Sequence, residues 1–397
     1  MTAIATDLRE RAAERFAQLG WPTPRLEEWK YTNLAAVAKT AWRTDDAPQL
    51  TDTSGTLAGR ATLELIFVNG KLVQTTGDTR FAGSDGANET IADWERNALV
   101  ALNLAETRGG AQIDIPPRTV VNGFIHLLFV GRGDGIWSHP RNVIRAGAGS
   151  QLTVVETYLG SGKYFTNALT EIVADDGAVV EHYRLDCDSR DAIHVANLYV
   201  RQTRSTAVTS RVVALGGAIA RNEIHVALAG EGASVSLEGL FAGTGHQHLD
   251  NHTVIDHLRP HCESHELYKG ILDQSARGVF DGRVIVRPDA QKTLSRQENR
   301  NLLLSETAVI DSKPTLEIHN DDVKCNHGST IGQIDQETLF YLRSRGIGEE
   351  EARSLLIYAF ASELVDRMKI EPVREQIGRA LFQALPQRLP ERRGTSR

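Results

Sequence analysis

Residues 321–333 read DDVKCNHGSTIGQ, and Cys325 stands two residues before His327. In an extended segment that spacing points both side chains to one side, where a thiolate and an imidazole could form half of a metal site. Soft sulfur beside borderline nitrogen suits iron or zinc rather than magnesium or calcium. Two ligands do not close a tetrahedral site, so the others must come from elsewhere in the chain or from a partner. Gly328 would allow close backbone approach. The pair also reads as a small buried thiol beside a histidine that ends a strand, or as an ordinary turn.

A second cluster, GHQHLDNHTVIDHLRPHCESH, holds His246, His248, His252, His257, His261, Cys262 and His265. His246-x-His248 and the adjacent His261-Cys262 are compatible with metal ligation. On stacked strands, however, these positions fall on successive turns, and polar side chains along a wall are the plainer reading. Asn299 and Asn301 likewise suit a side-chain ladder. Asp321 and Asp322 with Lys324 would suit an enzyme that cleaves acidic sugars, and a purely architectural half of a heterodimer is a third reading. There is no G-x-x-x-x-G-K-[ST] loop, no strand-to-helix G-x-G-x-x-G and no G-x-S-x-G elbow, so energy input must come from a partner.

These residues need a scaffold, and the sequence supplies a period for one. Gly149, Gly177, Ser205, Gly232, Pro260 and Pro288 each precede a β-type run, at intervals of 28, 28, 27, 28 and 28 residues. Between them lie NALTEIVA, HVANLYVRQ, NEIHVALA, NHTVIDHL and GRVIVRP, so each unit carries two strands. A near-constant interval of this length marks a solenoid. Alternation is only moderate, as in Val179, Glu181 and Tyr183 against Val180, His182 and Arg184, but β-branched and aromatic residues dominate. The expectation is a flattened parallel β-helix over residues 112–333, since the two-residue turns of a hairpin sandwich are scarce. In that register Val179 and Val235, two turns apart, point inward on one wall about 10 Å from each other.

Helical segments flank the repeat. The N-terminal part, 1–111, is a mixed domain with a helix at 6–19 and the Pro-punctuated segment WPTPRLEEWKYTNL. The C-terminal part, 334–397, starts a helix at Asp335 as N-cap and stops it at Gly346. From 349 a second helix places Ala352, Leu355, Leu356, Ala359, Phe360 and Leu364 in one apolar stripe, with three glutamates at its positive end. A third, VREQIGRALFQAL, follows Pro372, and the tail PQRLPERRGTSR reads as disordered.

Composition narrows the function classes. The 397 residues are 41% hydrophobic and 24% charged, the profile of a globular protein. A net charge of −7 argues against nucleic acid as a general partner. The charged start, MTAIATDLRERAAERF, lacks the apolar core of a signal peptide or membrane span, which points to the cytoplasm. Cys187, Cys262 and Cys325 are odd in number and scattered, as free thiols would be.

Several stretches carry a family resemblance: PRLEEWKYTNL near the start, then HTVIDHLRPHCESHELYKGILDQSARGVFDGRVIVRPDAQKT, RQENRNLLLSETAVIDSKPTLEIHNDDVKCNHGSTIGQID and LFYLRSRGI. They resemble the SufB/SufD family of iron–sulfur cluster assembly proteins. The Trp29-Lys30-Tyr31-Thr32 signature, and Cys325-Asn326-His327-Gly328 where SufB-like chains carry Glu-His-Glu-Ala, place it on the SufD branch. The resemblance implies a mainly β fold, a right-handed parallel β-helix between helical domains, in a non-catalytic scaffold subunit of a SufBCD complex. It implies a heterodimer with SufB through the β-helix and a nascent cluster shared across that interface, with the histidine matching His327 and a SufB cysteine as ligands. It places the SufC ATPase on helices 336–369, where Leu355, Leu356, Ala359 and Phe360 form more apolar surface than capping a solenoid needs. A homodimer is the alternative for the isolated chain, and any reduced flavin would belong to the complex rather than to this chain alone.

Overall fold

The computed structural model describes residues 6–45, 49, 57, 59–83 and 89–384. The tail read as disordered lies outside them. The chain is 46% strand, wound into a parallel β-solenoid of about eight turns with helices at both ends. The first strands are β1 (Leu63–Val68), β2 (Lys71–Gly77), β3 (Gln112–Ile115), β4 (Ile125–Arg132), β5 (Ile136–Ser138) and β6 (Arg141–Ala146). The regular part follows with β7 (Gln151–Ser161), β8 (Tyr164–Ala174), β9 (Val179–Cys187), β10 (Ile193–Gln202), β11 (Ala207–Ala214), β12 (Ile219–Leu228) and β13 (Ser234–Gly243). It ends with β14 (His248–His257), β15 (Glu263–Leu272), β16 (Arg277–Val286), β17 (Leu294–Leu303), β18 (Val309–Ile318) and β19 (Lys324–Gly332). Odd-numbered strands from β7 on stack in a ten-stranded sheet and even-numbered ones in a nine-stranded sheet facing it. The sheets are parallel except for the β1–β2 hairpin, whose β1 pairs with β4 and extends the ten-stranded sheet at its start.

Each turn of the solenoid needs a sharp corner, and the corners explain the period. Gly149, Gly177, Ser205 and Gly232 have φ of 67°, 70°, 55° and 69°, so four of the six expected openers are left-handed corner residues. The next two corners are His261 and Lys292, both at φ 59°, and not Pro260 and Pro288. Proline cannot take positive φ, so the corner falls one residue after Pro260 and four after Pro288, where the step from β15 to β17 is lengthened to 31 residues. The corners are tied to one another: Gly149 N–H donates to Asp176 O at 2.8 Å, Gly177 to Arg204 O at 2.9 Å and Ser205 to Glu231 O at 2.9 Å. His261 N–H reaches Gln291 O at 2.9 Å in the same manner. Such bonds offset the cost of about 1–2 kcal/mol for a non-glycine residue in this region.

The expected Val179–Val235 pair is off by one. Val235 stands in register with Val208 and Val180, all inside the solenoid, while Val179 is half-buried on the outer face. A one-residue slip reverses every side chain of a strand. The weak alternation has its cause here, because both outer faces are covered. Helices α1 (Thr6–Leu19), α2 (Ala35–Lys39) and α3 (Ala98–Glu106) belong to clusters that include Leu169, Tyr199, Phe165, Ile193 and Val195 of the nine-stranded sheet. Helices α4 (Gln336–Ser344), α5 (Glu349–Val365) and α6 (Glu371–Ala384) share a cluster with Tyr183, Leu185, Val213, Leu240 and Leu267 of the ten-stranded sheet.

The inside, by contrast, is not wholly apolar. Inward-facing Glu156 accepts from Thr170 at 2.8 Å and from Tyr158 OH at 2.9 Å, and Arg184 bonds Asp186 and Asn222. Buried charge is tolerated only when paired in this way. The helix signals behaved as expected: Asp335 accepts from the Glu337 and Thr338 amides, and Gly346 has φ 88°. Among the described residues, no helix is long and apolar enough to cross a membrane.

Candidate end-strand site

β19 is the last strand of the ten-stranded sheet, paired with β17 on one side only. Its residues 325, 327, 329 and 331 continue the inward row of β17, in register with Ser295, Gln297, Asn299 and Asn301, which are all buried. Among the described residues no further turn lies above it, and the end of the solenoid is open. Cys325 is half-buried against the interior apolar cluster, whereas His327, Ser329 and Ile331 are exposed. The spacing argument thus holds for direction: both candidate ligands face the same side. It does not extend to environment, because Cys325 sits beside the corner and His327 over the open mouth.

Burial pushes the Cys325 thiol up, which disfavours the thiolate in the isolated chain. Beneath it, Ser264 Oγ donates to Ser295 Oγ at 2.9 Å and lies 2.9 Å from His257 Nε2. Burial lowers the pKa of His257 to about 4, so this ring is neutral. Beneath His327 the column runs Gln297 and then Glu266, joined by Gln297 Nε2 to Glu266 Oε2 at 2.7 Å. Glu266 is pushed up to about 7 by burial. Asn299 and Asn301 bond within the stack, to Tyr268 O, to Thr330 O and to each other, as a ladder would. Ser312 of β18 closes the last turn, donating to Asn299 Oδ1 at 2.7 Å and meeting Ser329 Oγ at 2.8 Å.

An exposed imidazole and a half-buried thiol are a nitrogen and a sulfur donor, a set that fits iron, but a partial one. Among the described residues, no three of His, Cys, Asp or Glu converge as a metal site. The histidine-rich stretch is dispersed. His246 and His261 lie at turns, His257 points inward, His265 faces outward from the ten-stranded sheet, and Cys262 is buried with its thiol 3.3 Å from Gly230 O. His248 and His252 serve the N-terminal segment. Thr32 Oγ1 donates to Asp250 and lies 2.7 Å from His248 Nε2, while Trp29 covers the buried Arg221 guanidinium at 3.9 Å. Arg221 pairs with Glu223 and Asp250 and lies 2.9 Å from His252 Nε2. The Trp-Lys-Tyr-Thr signature is therefore a clamp between the N-terminal segment and the nine-stranded sheet. Asp322, weighed as a catalytic carboxylate, is paired with Lys292 at 2.8 Å on the surface.

The stripe on α5 divides in two. Leu355 and Ala359 are exposed, whereas Leu356 and Phe360 are half-buried against the cluster below the helix. Lys269 Nζ donates to Phe360 O at 2.9 Å and lies 4.5 Å from its ring centre. Sequence reasoning missed three aromatic residues of this surface: Phe340, 71% exposed, Tyr341, 55%, and Tyr358, 53%. For Phe340 and Tyr341 the signal was present in LFYLRSRGI, where two adjacent aromatic residues on a short amphipathic helix cannot both face inward.

Residues 129–360 match the family model described as SUF system FeS cluster assembly, SufBD core domain. The chain is 30% identical to the iron–sulfur cluster assembly protein SufD of Escherichia coli, over 97% of this chain and 95% of that protein. It is 30% identical to a SufBD family protein of Synechocystis, over 94% and 90%. With SufD of Bacillus subtilis it shares 29% identity over 71% of this chain and 66% of that one. By these likenesses the chain belongs to the SufBD family of SUF-system iron–sulfur cluster assembly proteins.

Proposed function

We propose that the chain is the SufD-type subunit of a complex with SufB and the ATPase SufC, and that it contributes His327 to a nascent iron–sulfur cluster, the cargo of the complex. The observation that carries this reading is the open end of the solenoid. β18 and β19 leave two strand edges unpaired, exposed Val309, Ile318 and Ile331 lie on them, and His327 stands on the inward row between them. An uncovered edge recruits another strand, and a second β-solenoid offers matching edges. Closure by SufB would place His327 at the interface, where the partner supplies the missing ligands. A second copy of this chain could cover the same edges when SufB is absent.

The exposed aromatic and aliphatic surface of α4 and α5 is assigned to SufC. Aromatic residues rimmed by charge, here Arg343, Arg345 and Glu349–Glu351, have the composition of a docking patch. ATP hydrolysis then belongs to the partner. The test is co-expression of the three proteins with His327→Ala. The complex should assemble with active ATPase and lose most of its iron and acid-labile sulfide. Wild-type cluster content in that variant would refute the ligand role.

A further inference from the structure

Gln297 is a polar side chain that the fold does not account for. It is fully buried on the inward row of β17, and Glu266 on the turn before and His327 on the turn after are its register partners. Its amide nitrogen is committed to Glu266 Oε2 at 2.7 Å, which fixes the orientation of the amide. Its Oε1 is buried and has no hydrogen-bond partner. A buried, unsatisfied acceptor destabilises a fold that leaves it so. Apolar neighbours were available at this position, as the ring of Phe280 in the facing sheet shows, and a leucine or methionine would carry no such cost.

The next side chain along the column is the imidazole of His327, which has two ring nitrogens and is free to turn because the end is open. A histidine that binds a metal through one nitrogen donates the other N–H to a carboxylate or carbonyl oxygen, and this bond selects its tautomer and raises its donor strength. We propose that Gln297 is a positioning residue for His327: its Oε1 accepts the imidazole N–H once a partner closes the end of the solenoid, leaving the other nitrogen to face the cluster. Glu266 acts one step further back, holding the Gln297 amide so that oxygen rather than nitrogen faces the last turn. The pair converts an exposed surface histidine into an oriented ligand only in the assembled complex. This inference rests on the ligand role of His327.

The experiment uses the co-expressed three-protein complex, loaded with iron and sulfide, and follows release of iron to a chelator. Gln297→Met keeps the length of the side chain and removes the acceptor. It should assemble, since loss of the bond to Glu266 is offset by removal of the unsatisfied acceptor, and it should release iron about tenfold faster, in keeping with the 10–100-fold weakening typical for loss of such a partner. Gln297→Glu combined with Glu266→Gln keeps one N–H donor bonded to one carboxylate in the column and an accepting oxygen toward the last turn, and should restore release to within about twofold of wild type. If Gln297→Met fails to assemble, Gln297→Asn takes its place, since its oxygen is one methylene short of the next turn and the same acceleration is expected. Release at the wild-type rate in a folded Gln297→Met or Gln297→Asn complex, with His327→Ala depleted of cluster, overturns the positioning role alone. Retention of the cluster in His327→Ala removes the ligand reading and this inference with it.

Discussion

Cys325 and His327 share a strand and a face, and only one of them is in water. The cysteine is held up by burial, so at pH 8 it should be alkylated by iodoacetamide several-fold more slowly than the same residue in the unfolded chain, as peptide mapping of the labelled protein would report. Equal rates in the two states would show that the end of the solenoid opens further than the structure indicates. A thiol that resists ionisation is a poor first ligand. Cys325→Ser in the co-expressed complex is therefore expected to keep more than half of the iron that wild type carries, whereas His327→Ala loses most of it. The reverse order would move the ligand role from the imidazole to the sulfur.

Helix α5 works on two surfaces. Ala352, Ile357, Ala361, Leu364 and Val365 are buried, and Lys269, Arg300 and Arg367 converge on Glu363 to pin its last turns, with Lys269 Nζ 2.5 Å from the carboxylate. Replacing Leu356 and Phe360 would therefore damage the seat of the helix as well as any partner contact. Leu355→Asp with Tyr358→Asp is the cleaner pair. It should weaken SufC binding by at least about 2 kcal/mol, close to thirtyfold in the dissociation constant measured by calorimetry, with the circular dichroism spectrum unchanged. Unaltered affinity would assign the patch to something other than SufC. Phe360→Ala should instead lower the melting temperature, because it leaves a cavity beneath Lys269.

Along the whole solenoid, charge in the interior makes stability depend on pH. Glu266 is fully buried and its folded pKa, about 7, lies above the ordinary carboxyl value of 4.5. An acid with a raised folded pKa binds its proton more tightly in the folded state. Its ionisation is therefore neutral for stability below about pH 4.5 and progressively destabilising up to about pH 7, above which the penalty is constant. Glu266→Gln should thus gain stability over wild type between pH 5 and pH 8, on the order of 3 kcal/mol at the upper limit, in denaturant titrations at the two pH values. A difference that does not change with pH would mean that Glu266 stays ionised inside the fold. The open end makes its own prediction. Ile331→Lys puts a charge on the unpaired strand and should abolish SufB pairing in size-exclusion chromatography while the chain itself melts as before. Persistence of the pair would place the interface elsewhere.

Period, strand content and helix ends were legible in the residues because each has a local cause. Corners recur where a glycine or a small residue permits positive φ, Asp335 and Gly346 carry the capping chemistry of α4, and Cys325 and His327 fall on one face because side chains alternate along a strand. What could not be read was which face is inside. With helices packed over both sheets and Glu156, Arg184 and Glu266 paired within the solenoid, apolar residues mark the outside nearly as often as the inside, so Val179 was assigned to the wrong wall. His261 and Lys292 turn corners that no residue preference announces. The separation of a half-buried thiol from an exposed imidazole, of a half-buried Phe360 from an exposed Tyr358, and the placing of His327 in register above Gln297 all depend on how the chain stacks. Burial is a property of the stacked chain, and no local spacing encodes it.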